Sequence, residues 1–452
     1  MLMKRIAAAV LSVLLTLFIL PPITASQTAD VVGQADFTTY SEAYVVIDAA
    51  TGQVLLEQNM NKRMYPASIT KVLTVAVALE RAALSDKLVM SEAAVSSVAR
   101  SSSHIALTAS EEISVEDAVM ATMLASANDA ANGIAEHIGG SAEMFCAIMN
   151  KTARGAGAVN SNFTNANGLE DENHYTTALD MAMITRYALT VDGFRDVLGA
   201  EQYTMQPTNK QPEQRNFGTA HHMIVYSQYE YKGAWGGKLG WTPQANHTAV
   251  TVAKRDGKEL ICVVMNSKTK WEKYKDTKKL FDYCFNNLQT VTVTAEVNKQ
   301  RNIPVVEDAG VVGVAKVPKQ TVTCTLYVPE GVTQESIDVS YNTKVSYHKG
   351  EQIAPAACFS IMSEGGGETP IYAMPLACEV EIDENPQSSV LSATEVMASA
   401  DDVVKAPVSL RVPVIIASVV GGLLILFMLV RLGVQHYYRK KRARRRAMRY
   451  YR

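Results

Sequence analysis

Apolar and polar positions follow two different periods in the first part of the chain. Alternation over Ala43–Leu56 predicts a β-hairpin that turns at Ala49–Gly52. A strand-like segment around Lys238 comes later, before further alternating strands and a closing amphipathic helix. The predicted helices span 68–83, 114–138, 177–189 and 271–286, and the late strands span 248–254 and 260–266. Strands at both ends with helices between them predict an α+β domain, which we place at residues 38–288.

The pattern changes near Thr290. Short alternating strands follow, separated by turns rich in Gly, Pro and Asn, and predict a small all-β domain over residues 290–381. Residues 382–411 are rich in Ser, Ala and Asp and lack a strong period, which is typical of a linker.

The N-terminus has the pattern of a secretory signal. Lys4 and Arg5 precede an apolar run over residues 6–20, and small residues up to Ala25 offer a cleavage site. We therefore predict a signal peptide over residues 1–25 and export of the chain. An uncleaved anchor helix is the alternative, but the apolar run is short for a membrane span.

The C-terminus has the pattern of a membrane anchor. Residues 412–430 carry no charge and are about as long as the ~20 residues that a transmembrane helix needs. Residues 431–452 are rich in Arg and Lys, and cationic flanks stay on the cytoplasmic side. We predict a single transmembrane helix in the cell membrane, a basic cytoplasmic tail that also meets anionic lipid, and an extracytoplasmic main body.

Charge and cysteine content exclude other classes of function. The 452 residues carry a net charge of −2, which argues against nucleic acid as the main partner. Cys146 lies in an apolar helical pattern and Cys262 in an apolar strand, so we predict buried free thiols there. Neither a Cys-x-x-Cys pair nor a histidine cluster indicates a metal, and no cofactor is predicted. The six cysteines are Cys146, Cys262, Cys284, Cys324, Cys358 and Cys378.

Three short motifs carry candidate chemistry. Ser68 and Lys71 lie one helical turn apart, and a serine becomes nucleophilic when a neighbouring base takes its proton. Ser126 and Asn128 form a polar island in an alanine-rich apolar stretch, where unsatisfied polar groups would be costly. Lys238 begins a strand-like segment in which a glycine allows an extended substrate to approach closely. Each motif alone also fits a structural role, such as a capping serine or a buried polar network.

Together the three motifs resemble the set found in penicillin-binding proteins and β-lactamases. The resemblance is closest to the low-molecular-mass D-alanyl-D-alanine carboxypeptidases and covers about Tyr40 to Asn287. It rests on segments 65–71, 125–131, 167–177 and 276–283. The resemblance implies a penicillin-binding α+β fold, a peptidoglycan stem peptide ending in D-Ala-D-Ala as substrate, β-lactam antibiotics as inhibitors, and no cofactor. A β-rich region and a C-terminal anchor are also the layout of that family.

The resemblance assigns a role to each motif residue. Ser68 is the nucleophile and Lys71 its general base. Ser126 and Lys238 complete the proton path, and Asn128 binds the substrate amide. The backbone N–H groups of Ser68 and Trp241 form the oxyanion hole.

One position departs from the family pattern. Leu239 stands where relatives have a threonine whose hydroxyl meets the terminal carboxylate of the substrate. We expect Thr242, or Lys268 after Asn266-Ser267, to supply that contact. Two alternatives stay open: a β-lactamase-like hydrolase, and a peptidoglycan-binding protein whose catalysis is weakened by Leu239.

Overall fold

The computed structural model describes residues 38–307, 310–342, 346–348, 355–362 and 367–382. The predicted signal peptide, most of the linker, the predicted membrane helix 412–430 and the basic tail lie outside these residues. Of the helices that the structure describes, none combines the length and apolar character of a membrane span.

The described chain alternates between strands and helices up to residue 287 and is almost entirely strand beyond it. The helices are α1 (Lys71–Arg81), α2 (Glu92–Ser96), α3 (Val115–Leu124), α4 (Asn128–Gly139), α5 (Ala142–Gly155), α6 (Ala178–Ala188), α7 (Phe194–Gly199) and α8 (Glu272–Asn287). The strands of the same region are β1 (Ser41–Asp48), β2 (Val54–Gln58), β3 (Lys87–Val89), β4 (Glu112–Ser114), β5 (Gln202–Met205), β6 (Arg215–Gly218), β7 (Ala234–Thr242), β8 (Asn246–Arg255) and β9 (Lys258–Ser267).

A five-stranded antiparallel sheet in the order β2-β1-β9-β8-β7 organises this region. A tight turn joins β8 to β9, where Asp256 and Gly257 both adopt the positive φ angles of a two-residue hairpin. β7 lies at the edge of the sheet, so one side of its backbone is not paired with another described strand.

Helix α1 forms the centre of the core. It packs against α3, α4, α5 and α6, and its residues from Lys71 to Ala78 are all buried. A helix that is apolar on all sides is expected at such a position. The first residue of this buried helix is a lysine, which places an amino group inside the core.

The long predicted helix over 114–138 is two helices. A capping box between Ser114 and Asp117 begins α3, and the chain breaks at 125–127, where Ser126 has a φ of 57°. α4 then begins at Asn128. The break coincides with the polar island of the sequence. Ser126 ends the helix because a residue in the left-handed conformation cannot continue a right-handed helix.

The regular elements described after residue 287 are all strands apart from one short 3₁₀ helix at Gln334–Ser336. The predicted all-β character is thereby confirmed for these residues, whereas the domain boundaries stay a prediction. The strands are β10 (Leu288–Val297), β11 (Arg301–Glu307), β12 (Gly310–Val317), β13 (Gln320–Pro329), β14 (Ile337–Asn342), β15 (Tyr347–His348), β16 (Ala356–Met362), β17 (Glu368–Pro375) and β18 (Glu379–Ile382).

The described residues form two compact units. The first contains the helices and the five-stranded sheet together with β10, β13, β14, β16 and β17. Inside it, the side chain of Gln53 exchanges two hydrogen bonds with the backbone of Tyr327, at 2.8 and 2.7 Å. The second unit contains β11 and β15 and nearly all of β12 and β18, which form one sheet in the order β15-β11-β12-β18.

Candidate active site

Ser68 lies in a strained turn at the beginning of α1. A 3₁₀ turn, Ala67–Thr70, leads directly into the helix, and Ala67 has a φ of 51°, which is uncommon for a residue with a side chain. Thr248 on β8 donates a hydrogen bond of 2.9 Å to the carbonyl oxygen of Pro66. Gly168 packs against the other side, where a Cβ atom would lie 1.9 Å from the carbonyl oxygen of Ala67. The turn is therefore fixed on both sides by contacts distant in sequence.

Lys71 points its amino group at Ser68. The distance from Lys71 Nζ to Ser68 Oγ is 3.0 Å, and Nζ also donates to Asn128 Oδ1 at 2.7 Å and to the carbonyl oxygen of Asn167 at 2.6 Å. A neutral amine has two N–H groups and one lone pair. The two oxygens of Asn128 and Asn167 can take both N–H groups, which leaves the lone pair for the proton of Ser68.

The environment of Lys71 favours that neutral form. The residue is completely buried, and its burial holds the pKa of the amino group well below its ordinary value. The positive charge of Lys238 lowers the pKa further, and the carboxylate of Asp129 opposes the shift. The lowered pKa makes the neutral form of this lysine, which can accept a proton, easier to reach.

Ser126 and Lys238 form the second polar pair of the site. Lys238 Nζ donates to Ser126 Oγ at 3.0 Å and to the carbonyl oxygen of Leu239 at 3.1 Å. Burial lowers the pKa of Lys238 to about 7, and the charge of Lys273 contributes to the shift. Ser126 reaches this lysine because the chain breaks between α3 and α4.

Gly240 brings β7 against the nucleophile turn. A Cβ atom at this position would lie 2.9 Å from the backbone nitrogen of Ser68 and 2.4 Å from Thr248 Oγ1. Only a residue without a side chain permits this approach. The predicted oxyanion hole would use the backbone N–H groups of Ser68 and Trp241, and the close approach brings the residue before Trp241 against the backbone nitrogen of Ser68.

A cleft of about 360 Å³ opens above these groups. Leu239 lines it, and Trp241 lines it with 58% of its surface exposed. The lining residues are Ser68, Ser103, Met123, Leu124, Ala125, Ser126, Thr219, Ala220, His221, Gly237, Lys238, Leu239, Gly240, Trp241, His247, Lys270 and Lys273. Among these residues of the described chain there is no carboxylate.

Thr242 and Lys268 are not among the residues that line the cleft. Thr242 is buried, and its Oγ1 accepts a hydrogen bond of 3.1 Å from the backbone N–H of Ala245 in the turn after β7. Lys268 is exposed just beyond the end of β9. The structure therefore does not bring these two candidates into the cleft.

Lys273 is the cation that the sequence reasoning missed. It lies in the first turn of α8, is 4% exposed and lines the cleft together with Lys270. Burial lowers the pKa of Lys273 to about 8, with a further contribution from Lys270. The sequence did contain a signal, because Lys273 has helical spacing to Thr277, Leu280 and Cys284 on the buried face of α8.

Asn167 is the second residue that the motif reasoning did not assign. Its carbonyl oxygen accepts from Lys71, while its side chain accepts from Leu169 N at 2.9 Å and donates to Asn132 Oδ1 at 2.8 Å. These side-chain bonds fix the orientation of the backbone that holds the base.

Metal ligation has no support in the described part of the chain. It contains no group of three or more His, Cys, Asp or Glu side chains arranged to hold a metal ion. Cys146 and Cys262 are buried free thiols, as predicted.

The comparisons with known proteins agree with this geometry. Residues 28–269, more than half of the chain, match the family model described as D-alanyl-D-alanine carboxypeptidase. The chain belongs to this family. It is accordingly a serine-type D-alanyl-D-alanine carboxypeptidase in enzyme class, and the predicted resemblance is confirmed.

Similar proteins support the same assignment. The D-alanyl-D-alanine carboxypeptidase DacF of Bacillus subtilis is 32% identical over 64% of this chain and 72% of its own length. The corresponding DacA of Haemophilus influenzae is 32% identical over 58% of this chain and 66% of its own length.

Solved structures confirm the fold of the catalytic region. A D-alanyl-D-alanine carboxypeptidase of Mycobacterium tuberculosis matches with a TM-score of 0.51 and 26% identity, over 57% of this chain and 95% of the other. Penicillin binding protein 5 of Haemophilus influenzae matches with a TM-score of 0.58 and 24% identity, over 78% of this chain and 98% of the other.

Proposed function

We propose that this enzyme removes the terminal D-alanine from peptidoglycan stem peptides through an acyl-enzyme on Ser68. The observation that carries the proposal is the set of contacts at Lys71, whose amino group lies 3.0 Å from Ser68 Oγ while two uncharged oxygens take its N–H groups. This arrangement suits a base that must be neutral before the reaction begins.

Acylation begins when Lys71 accepts the proton of Ser68 and Ser68 Oγ bonds to the carbonyl carbon of the penultimate D-alanine. The backbone N–H groups of Ser68 and Trp241 stabilise the negative oxygen that develops, a contribution of about 3–4 kcal/mol for each such donor. The proton then passes through Ser126, with Lys238 at 3.0 Å, to the nitrogen of the departing D-alanine. The C–N bond breaks and the acyl-enzyme remains.

Deacylation reverses these roles for water. Lys71 takes a proton from water as the water oxygen bonds to the acyl carbon. The bond between that carbon and Ser68 Oγ then breaks, and Lys71 returns the proton to Ser68 Oγ. Asn128 holds Lys71 through Oδ1, so in this proposal its amide nitrogen is the part of the side chain left to bind the substrate amide.

The terminal carboxylate of the substrate binds at Lys273 and Lys270 in this proposal. Both line the cleft, and Leu239 offers no hydrogen-bond donor in its side chain. A buried cation is a strong partner for a carboxylate because little water competes for it. This assignment replaces the expected contacts from Thr242 and Lys268.

The two alternatives from the sequence are less well supported. A β-lactamase that deacylates fast needs a carboxylate to position water, and the residues lining the described cleft include none. A binding protein without catalysis does not require a serine, a buried lysine and a second serine–lysine pair at hydrogen-bonding distances.

Mass spectrometry of the protein incubated with penicillin tests the proposal. We expect one covalent adduct that maps to the peptide containing Ser68 and persists for many minutes. Ser68→Ala should acquire no adduct. Labelling at another residue, or labelling of Ser68→Ala, would remove Ser68 from its role.

We also propose that the enzyme works outside the cell membrane, anchored by residues 412–430 with its basic tail in the cytoplasm. The support is the charge asymmetry around that apolar run and the signal-like N-terminus. Protease added to intact protoplasts should remove the catalytic region and spare the tail. Protection of the catalytic region would contradict this topology.

A further inference from the structure

A polar stripe lies at the beginning of α1, on an otherwise apolar and buried helix. Thr70, Lys71 and Thr74 form it, and all three are completely buried. Residues one and four positions apart on a helix lie on the same side of it. Buried polar side chains need hydrogen-bond partners, and each of these three has a partner in residues 163–174. We call residues 163–174 the carbonyl loop.

Two backbone carbonyl groups of this loop accept hydrogen bonds from the stripe. Thr74 Oγ1 donates to the carbonyl oxygen of Ala166 at 2.6 Å, and Lys71 Nζ donates to the carbonyl oxygen of Asn167, also at 2.6 Å. The position of the carbonyl loop relative to α1 therefore decides how the amino group of the base is held.

His174 joins the end of the carbonyl loop to the turn that contains the nucleophile. Its ring is buried, with Nε2 2.9 Å from Thr70 Oγ1 and Nδ1 3.2 Å from the backbone nitrogen of Thr164. A backbone N–H group can only donate, so Nδ1 is the acceptor and Nε2 carries the hydrogen that Thr70 accepts. Burial lowers the pKa of the ring to about 4; the charge of Asp171 opposes this shift and the charge of Lys71 adds to it. The ring is therefore neutral near neutral pH and links the two segments in one defined tautomer.

The backbone beside His174 is fixed by two short bridges. Asn162 and Tyr175 exchange two backbone hydrogen bonds, at 2.9 and 3.0 Å, which close the carbonyl loop. Met64 and Thr176 exchange two more, at 2.8 and 3.0 Å. The ring of His174 is thus presented to α1 from a backbone that is itself held on both strands of these bridges.

We propose that His174 is a positioning residue for the base, because it holds Thr70 and Thr164 together and so keeps the carbonyl oxygen of Asn167 on Lys71 Nζ. Lys71 becomes an ammonium group when it accepts the proton of the nucleophile, and the dipole of a preorganised carbonyl group stabilises that charge as it develops. A displacement of about 1 Å is enough to slow such a reaction markedly. The inference rests on the proposed function, since it takes Lys71 as the base, and His174 itself does not line the cleft.

The test removes the hydrogen bond between His174 and Thr70 from each end. In His174→Asn the side chain is too short to reach Thr70, whereas the amide nitrogen in His174→Gln lies near the position of Nε2 and can donate to Thr70. Thr70→Val keeps the shape of the threonine and removes the acceptor. Saturation kinetics with a chromogenic penicillin, on the full chain, separate the rate constant for acylation of Ser68 from the dissociation constant of the complex that precedes it.

We expect His174→Asn and Thr70→Val each to lower the acylation rate constant about ten-fold or more, with a dissociation constant that stays within about two-fold. His174→Gln should restore the rate constant to within about three-fold of the unaltered enzyme. If the two residues act through one hydrogen bond, the double variant of His174→Asn and Thr70→Val should be no slower than the slower single variant.

Thr185→Val is the matched control. Thr185 is a completely buried threonine of α6 that donates to the carbonyl oxygen of Met181 at 2.7 Å, and it does not line the cleft. This variant removes a hydrogen bond of the same kind as Thr70→Val does. It should lower Tm and leave the acylation rate constant unchanged.

A lower Tm with an unchanged rate constant in His174→Asn and Thr70→Val would make the contact purely structural and overturn the inference, while the proposed function stands. Effects that multiply in the double variant, or a loss in His174→Gln as large as in His174→Asn, would also overturn it. Each end of the bond has its own variant, so one that does not fold leaves the other to decide. If penicillin does not acylate Ser68 of the unaltered enzyme, the proposed function and the inference both fail.

Discussion

Replacing Lys273 by methionine separates substrate recognition from the acylation chemistry. Methionine keeps much of the length of the lysine but removes its charge. Lys273 is almost completely buried at the edge of the cleft, whereas Ser68, Lys71 and the oxyanion hole do not depend on it for a hydrogen bond. The substitution should therefore weaken the binding of a substrate carboxylate and leave the nucleophile in place.

The size of the effect follows from the kind of bond that is lost. A hydrogen bond to a charged group contributes about 1.5–3 kcal/mol, and each 1.4 kcal/mol corresponds to a factor of about ten. Lys270 remains in the cleft and offsets part of the loss. We expect kcat/KM on a D-alanyl-D-alanine peptide to fall about ten- to thirty-fold.

The assay pairs that peptide with a thioester or ester substrate that lacks the terminal carboxylate. Lys273→Met should change acylation by the ester much less than hydrolysis of the peptide. Lys268→Met tests the cation first expected from the sequence and should have little effect, as should the control Lys275→Met on the exposed face of α8. A larger loss with Lys268→Met, or an equal loss on both substrates with Lys273→Met, would refute the assignment.

The same pair of substrates gives a pH test. Lys273 has a pKa of about 8, so it loses its charge as the pH rises through that value. kcat/KM reports the ionisation of the free enzyme. The ratio of peptide to ester kcat/KM should therefore fall above pH 8, because changes at Lys71 and Lys238 affect both substrates alike. In Lys273→Met the ratio should no longer depend on pH in this range.

Three further predictions follow from other contacts. Leu239→Thr adds a hydrogen-bond donor in the cleft and should raise kcat/KM on the peptide about ten-fold, with a much smaller effect on the ester. A fall in peptide activity would show that Leu239 does not mark a missing hydrogen bond to the substrate carboxylate. Gly240→Ala should slow penicillin acylation of Ser68 about a hundred-fold or more, because the added Cβ atom would lie 2.4 Å from Thr248 Oγ1 and would displace β7. Unchanged acylation would contradict the close approach of β7 to the turn that contains Ser68. The buried His174 and His221 have pKa values lowered to about 4 and about 3 from an ordinary value of 6.5, so the unfolded chain binds more protons than the folded chain below pH 6.5. Tm should therefore fall as the pH decreases from 6.5 toward 4. A constant Tm over this range would contradict the presence of two neutral buried imidazoles.

The sequence predicted the residues that touch one another in the reacting centre. Ser68 lies in the 3₁₀ turn that leads into α1, and Lys71 is the first residue of that helix, so their spacing in the sequence already predicts that they lie one turn apart. Ser126 and Lys238 are far apart in sequence, and their contact at 3.0 Å was predicted only through the family resemblance. The residue types in the motifs do not by themselves predict the helix break at Ser126 or the path of β7.

The sequence did not identify Lys273 as a cleft residue, because tertiary packing decides which of several neighbouring lysines faces inward. Lys268 and Lys273 are five positions apart, in a segment with lysine also at 270 and 275. Lys268 follows the end of β9 and remains in solvent, whereas Lys273 begins the buried face of α8. The sequence pattern contains the period of that helix, but not the fact that its first turn closes the active-site cleft.

Burial arranges the lysines of the site in an order that suits the reaction. Lys71, the innermost, has its pKa held well below the ordinary value, Lys238 has a pKa of about 7, and Lys273 at the edge has one of about 8. Each charge also lowers the pKa of the next lysine inward, Lys273 acting on Lys238 and Lys238 on Lys71. The pKa values therefore rise from the centre of the site, where the proposed mechanism needs a base, to its edge, where the proposed carboxylate site lies. In the proposed complex, the substrate carboxylate stabilises the positive charge of Lys273, while Lys71 stays buried and keeps its lowered pKa. Substrate binding therefore does not oppose the role of Lys71 as a base.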